Sequence, residues 1–89
     1  MNFLNYEVWT QAGDVIQVFL TGNAANVLVL DEMNFQNYRS GKSFRYAGGY
    51  FTQSPALIKP PSAGHWHVVV DLGGGAGTVN AEVRILRKL

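Results

Sequence analysis

The sequence predicts an all-β fold: a compact antiparallel β-sandwich or partly closed barrel of about seven short strands, with at most one short helical turn. Three observations carry that expectation. Apolar residues recur in strand-like alternation, or in short apolar runs, along most of the chain. Glycine, proline, asparagine and aspartate punctuate those runs at short intervals. No helical pattern is long enough to serve as the crossover that neighbouring parallel strands require.

The elements follow in chain order. Residues 3–9 alternate Leu4, Tyr6 and Val8 against Phe3, Asn5, Glu7 and Trp9, a strand with one apolar face and some aromatic cover on the other. Gln11-Ala12-Gly13-Asp14 turns the chain into a second strand over 14–21, antiparallel to the first, with Ile16, Val18 and Leu20 on one side. Thr21-Gly22-Asn23 is another turn, since glycine and asparagine tolerate positive φ. Residues 24–30 are apolar on both parities from Val27 to Leu30, as in a strand buried on two sides.

The helical candidate is 31–41, one or two turns at most, where Asp31 or Asn34 caps the start, Arg39 falls near the end and Gly41 takes the left-handed exit. Phe44 to Gln53 is β-prone, but Gly48-Gly49 in its middle implies a bulge, a sharp bend or a hairpin turn. Ala56-Leu57-Ile58-Lys59, bracketed by prolines, reads as a strand confined to an edge or to strand ends.

Gly64 to Gly77 organises the rest: a central strand feeding a glycine turn. Trp66, Val68, Val70 and Leu72 project to one face as core, while His65, His67, Val69 and Asp71 form a half-polar row on the other, able to meet water, a partner or a ligand. Residues 78–86 alternate most clearly of all, with Val79, Ala81, Val83 and Ile85 inward, before Arg87 and Lys88 leave the sheet.

Eighty-nine residues make one domain, 1–89, with room for a single core. Hydrophobic residues at 47% and charged residues at 15% exclude a disordered chain. A net charge of +1 lacks the electrostatic footprint of a dedicated nucleic-acid binder, so any nucleic-acid binding would be local and weak. Without cysteine there is neither a disulfide framework nor a thiolate metal site, which points to a reducing cytoplasm. The first residues carry no basic start or apolar run of secretory type, and no stretch approaches the ~20 apolar residues of a membrane span, so no membrane partner is expected.

Chemistry-bearing motifs are sparse. Gly73-Gly74-Gly75-Ala76-Gly77 lacks the following helix that a dinucleotide-binding turn needs, and reads as a hairpin loop or, at most, a backbone anion nest. His65 and His67 lie on one strand face but supply half a zinc site, and Asp71 stands about 13 Å from His67 along an extended strand, at ~3.3 Å per residue. They read first as a pair of partly exposed histidines. No context positions a serine nucleophile or a carboxylate pair, so no catalytic residue, resident metal or cofactor is expected.

The fullest surface signal is Phe35 to Phe51. It combines Phe35, Tyr38, Phe44, Tyr46, Tyr50 and Phe51 with Arg39, Lys42 and Arg45, and contains no acid. Aromatic faces stack on bases and sugars while interleaved cations meet phosphates, and tyrosine and arginine also anchor protein interfaces. The competing reading is that the rings close one end of the core and the cations are solvated.

Several pieces in order, namely Met1-Asn2-Phe3-Leu4, Gly22-Asn23-Ala24-Ala25-Asn26-Val27, Asn34-Phe35-x-Asn37-Tyr38, Tyr46-x-Gly48-Gly49, Ser54-Pro55 and Gly64-His65-Trp66 running to Val70-Asp71-Leu72-Gly73-Gly74, resemble a family of small bacterial proteins classed as a domain of unknown function. The resemblance spans nearly the whole chain. It implies an all-β stand-alone domain, fused in some relatives to TIR domains, and implies no catalytic residue, cofactor or substrate. Residues and resemblance together lead to a binding or sensing module that meets a small ligand or protein partner through Phe35, Tyr38, Arg39, Lys42, Arg45, Tyr46 and Tyr50, extended by His65 and His67. The alternatives are a small metal-dependent enzyme around His65, His67 and Asp71, and a homodimerising interaction protein.

Overall fold

The computed structural model describes residues 2–87. Seven strands and one helix follow in the order β1 (Phe3–Thr10), β2 (Val15–Gly22), β3 (Ala25–Leu30), α1 (Glu32–Arg39), β4 (Ala47–Phe51), β5 (Ala56–Ile58), β6 (Gly64–Asp71) and β7 (Val79–Leu86). A four-stranded sheet, ordered β1-β6-β3-β4, packs on a three-stranded sheet, ordered β5-β2-β7, and every pairing is antiparallel. The sheets remain separate, so the sandwich form of the expected fold is the one adopted. Lys88 lies outside the described residues.

The alternation in the sequence maps directly onto the layer between the sheets. Ile16 and Val18 from β2, Val27 and Val29 from β3, Ile58 from β5, and Trp66, Val68 and Val70 from β6 are buried there. Leu4, Tyr6 and Val8 from β1 and Val79, Ala81, Val83 and Ile85 from β7 pack against them from the margins. The short proline-bracketed strand β5 takes an edge, where a missing ladder donor matters least.

Three local expectations are corrected. β1 and β2 are not hydrogen-bonded to each other: the Gln11–Asp14 turn carries the chain from one sheet to the other, closed by Asp14 N to Gln11 O at 3.0 Å and Gln11 N to Asp14 Oδ2 at 2.7 Å. Asp14, 2% exposed, also accepts from Arg87 Nη1. The β-prone run from Phe44 yields strand only over Ala47–Phe51. Within it Gly48-Gly49 makes neither a hairpin turn nor a bulge, since Leu28↔Gly48 and Val27↔Gly49 keep the register with β3 unbroken.

Gly48 is glycine because of that close pairing. Its φ is +114°, and a Cβ there would lie 2.1 Å from the carbonyl oxygen of Val27. Gly41, at φ +75° beyond the helix, has nothing within 4 Å of the same virtual atom. Gly48→Ala is therefore expected to destabilise the protein by on the order of 3 kcal/mol or more, combining dihedral strain with a backbone clash, against about 1 kcal/mol for Gly41→Ala. Urea unfolding of the two variants checks this ordering.

Candidate functional site

The outer face of the four-stranded sheet carries the odd residues of β1 and β6 and the even residues of β3, brought into rows by the pairings Glu7↔His67, Leu30↔His67, Leu28↔Val69 and Asn26↔Asp71. Helix α1 crosses this face. Asp31 caps it, accepting from Asn34 N at 2.8 Å; Glu32 stands in its first turn and Arg39 in its last, both signs favourable to the helix dipole. Phe35 is driven down onto Leu28, Leu30 and Val69, forming a second, smaller core with Phe3, Tyr38 and Phe44 at its margin. The row expected to face water is thus largely covered: His67 and Asp71 are each 4% exposed and Val69 is fully buried.

Beyond the C-terminal end of α1 the cover stops and a cavity of about 370 Å³ opens, lined by Asn26, Leu28, Tyr38, Gly41, Lys42, Phe44, Tyr46, Asp71 and Gly73. Its polar focus is the Asp71 carboxylate. Oδ1 accepts from Asn26 Nδ2 at 2.8 Å and from the backbone N–H of Gly73 at 2.9 Å, and Oδ2 accepts from the Tyr38 hydroxyl at 2.5 Å. Phe44 contacts Tyr38 edge to face at 5.3 Å and lies tilted against Tyr46 at 5.7 Å, so three rings line one wall. Burial raises the pKa of Tyr38 well above the ordinary phenol range, and the Asp71 carboxylate beside it raises it further. Tyr38 is therefore a fixed proton donor at neutral pH.

The N-terminal end of α1 meets a second polar group. His67 stacks on Phe35 at 3.9 Å, with its Nδ1 3.1 Å from Asn5 Oδ1 and its Nε2 2.8 Å from Glu32 Oε1. His65 stacks on Trp9 at 4.9 Å and lies 2.9 Å through Nε2 from Glu7 Oε1. The pKa of Glu32 is lowered by its hydrogen bond with Gln36 first and by His67 next. The expectation of two partly exposed histidines is corrected for His67, which lies beneath the helix.

The sequence-derived residues therefore divide. Tyr38, Lys42 and Tyr46 come together at the cavity, with Phe44. Phe35 is a core residue, with the Arg39 guanidinium 5.6 Å from its ring centroid. Arg45 lines a separate groove beside Asp31, Asn34 and Tyr46. Tyr50 is exposed on β4, opposite Asn26 in register but outside the cavity wall. His65 and His67 form the other cluster.

Asn26 and Gly73 were not anticipated as site residues, nor was Glu7 as a neighbour of the histidines. The available signal for Asn26 and Asp71 was a polar residue inside an otherwise apolar strand, at Ala25-Asn26-Val27 and Val69-Val70-Asp71. No comparable local signal marks Glu7, which reaches the histidines through a strand pairing across the chain.

A family model described as Domain of unknown function (DUF1883) matches residues 1–89. Comparisons with curated proteins and with solved structures find no match.

Burial of Tyr38, with the Asp71 carboxylate bonded to it, sets a pH dependence. A folded-state pKa raised above the unfolded value means that the stabilisation is complete below about pH 10 and declines as pH rises beyond it. In a phenolate absorbance titration, one of the four tyrosines is expected to resist ionisation until the fold is lost. Tyr38→Phe should abolish that lagging component and lower stability by about 1–3 kcal/mol, because a buried carboxylate oxygen loses a donor.

Proposed function

The chain belongs to the DUF1883 family, whose description assigns no activity, and from that premise we propose that it is a non-catalytic binding module whose cavity beside Asp71 takes a small ring-bearing polar ligand with an acidic group. A nucleotide or a sugar phosphate has this chemistry. The observation that carries the reading is a nearly buried carboxylate at the edge of an aromatic-walled cavity. Three donors occupy Asp71, and a carboxylate offers about four acceptor positions, which leaves one for a ligand hydroxyl or N–H.

The remaining wall supports the same ligand class. Tyr46, 53% exposed, and Phe44 offer ring faces on which a base or sugar can stack. Lys42 lines the cavity with its side chain exposed, where an ammonium can meet a phosphate held away from the Asp71 carboxylate. The cavity volume lies at the lower end of the range typical of small-molecule sites, which suits a compact ligand. The cytoplasm is the proposed compartment because the chain carries no cysteine. Among the described residues no helix is long and apolar enough to cross a membrane.

A thermal-shift screen with AMP, NAD, glucose 6-phosphate and inorganic phosphate tests the proposal. A ligand at a hundred times its dissociation constant adds about 2.7 kcal/mol of stability, a rise on the order of 10 °C for a domain of this size. Tyr46→Ala is expected to weaken the hit by roughly tenfold, as the loss of one stacking face does, and Lys42→Ala to weaken it and flatten its salt dependence. Both side chains are exposed, so the fold is retained. Silence across the panel, or undiminished binding in both variants, would reject the cavity as the site.

A further inference from the structure

We propose that Glu7, His65 and His67 form a binding site for a divalent transition-metal ion of the zinc type, separate from the cavity beside Asp71. Each of the three offers one ligand atom, and these atoms lie within 4.8 Å of one another. Imidazole nitrogen and carboxylate oxygen are ordinary zinc ligands, and three protein ligands are the usual minimum. The backbone supplies the arrangement: Glu7 sits directly opposite His67 on adjacent strands, and His65 stands two residues along the same face of β6. Glu7 and His65 are partly exposed, with 51% and 31% of their side-chain surface accessible, so both can be reached by an ion from solvent.

The surroundings favour a cation at this point. With Asn5 Oδ1 accepting the Nδ1 proton of His67, the Nε2 lone pair faces the Glu32 carboxylate at 2.8 Å. That contact is closed by a proton on Nε2 or, with Nε2 deprotonated, by a metal ion bound to it. The Asn5 contact is also the outer-shell bond that a metal-bound histidine typically makes, fixing the ring so that Nε2 points to the ion. Both rings are held flat from one side, His67 by Phe35 and His65 by Trp9. Two neutral imidazoles and Glu7 would leave a bound divalent ion with one excess positive charge, and the adjacent Glu32 balances it.

The two occupants of the His67–Glu32 contact are separated by titrating chelator-treated protein with zinc chloride by isothermal calorimetry at about pH 7.5, where free histidine is mostly neutral. The expected result is saturable binding of one ion per chain. Glu7→Gln and His65→Asn should each weaken it by roughly tenfold or more, since even outer-shell losses cost that much. These two positions are used because neither is buried; circular dichroism and melting without metal establish that each variant is folded, and His67 is left unaltered beneath its helix. Absence of one-to-one zinc binding, or full-strength binding in either variant, overturns the site and leaves a proton as the occupant of the His67–Glu32 contact.

Discussion

Strand β6 must be covered on both faces, and the rest of the architecture depends on that constraint. Val68 and Val70 point into the sandwich and Val69 points away from it, yet all three are buried to 1% or less. A two-layer sandwich shelters only the first two. The third needs a lid, and with Leu28 and Leu30 beside it on β3 the lid has to be apolar along a stripe rather than at a point. Helix α1 fills that requirement with Phe35. Full burial of one such side chain is worth roughly 1.5–3 kcal/mol, a substantial share of the net stability of a domain this small.

The lid also determines which polar groups are buried. His67 and Asp71 lie two residues to either side of Val69 on the same parity, so a helix laid over Val69 reaches toward both. Each is satisfied by side chains from other elements: Asp71 by Tyr38 from the helix and Asn26 from β3, His67 by Glu32 from the helix and Asn5 from β1. Among the described residues no buried side-chain polar atom lacks a partner. The helix contributes one partner at each end, Glu32 in its first turn and Tyr38 in its last, which fixes its position along β6 as well as its distance from the sheet.

Most of the fold was legible in the sequence because period-2 alternation is a local property. The inward parities of β1, β2, β6 and β7 could be read from ten residues at a time, as could the glycine exit of the helix, while its cap was narrowed to Asp31 or Asn34, of which Asp31 is used. Pairing was not legible. β6 lies between β1 and β3, and nothing near residue 66 specifies either neighbour, so Glu7 could not be placed beside His65 and His67. Phe35 and Tyr38 show the other limit. In composition they belong to one aromatic stretch, but the helix turns one into the core and the other toward Asp71. A helix of eight residues has too few turns for its buried face to be read from periodicity, and the sheet surface beneath it makes that selection.

The outer parity of β6 carries the strand's two buried polar residues, His67 and Asp71. A core strand of this kind is most simply completed with valine or isoleucine on both faces, as Val68-Val69-Val70 does, and each departure costs desolvation that partners must offset. Asp71, Tyr38 and Asn26 line one cavity together with Lys42, Phe44 and Tyr46. The loop after α1 is tied back to the helix by the edge-to-face contact of Phe44 with Tyr38 and the backbone bond from Lys42 N to Asn37 O, and the volume beside Asp71 stays open. The Asp71 carboxylate thus borders an aromatic-walled space while three of its acceptor positions are filled from β3, from the helix and from the turn after β6.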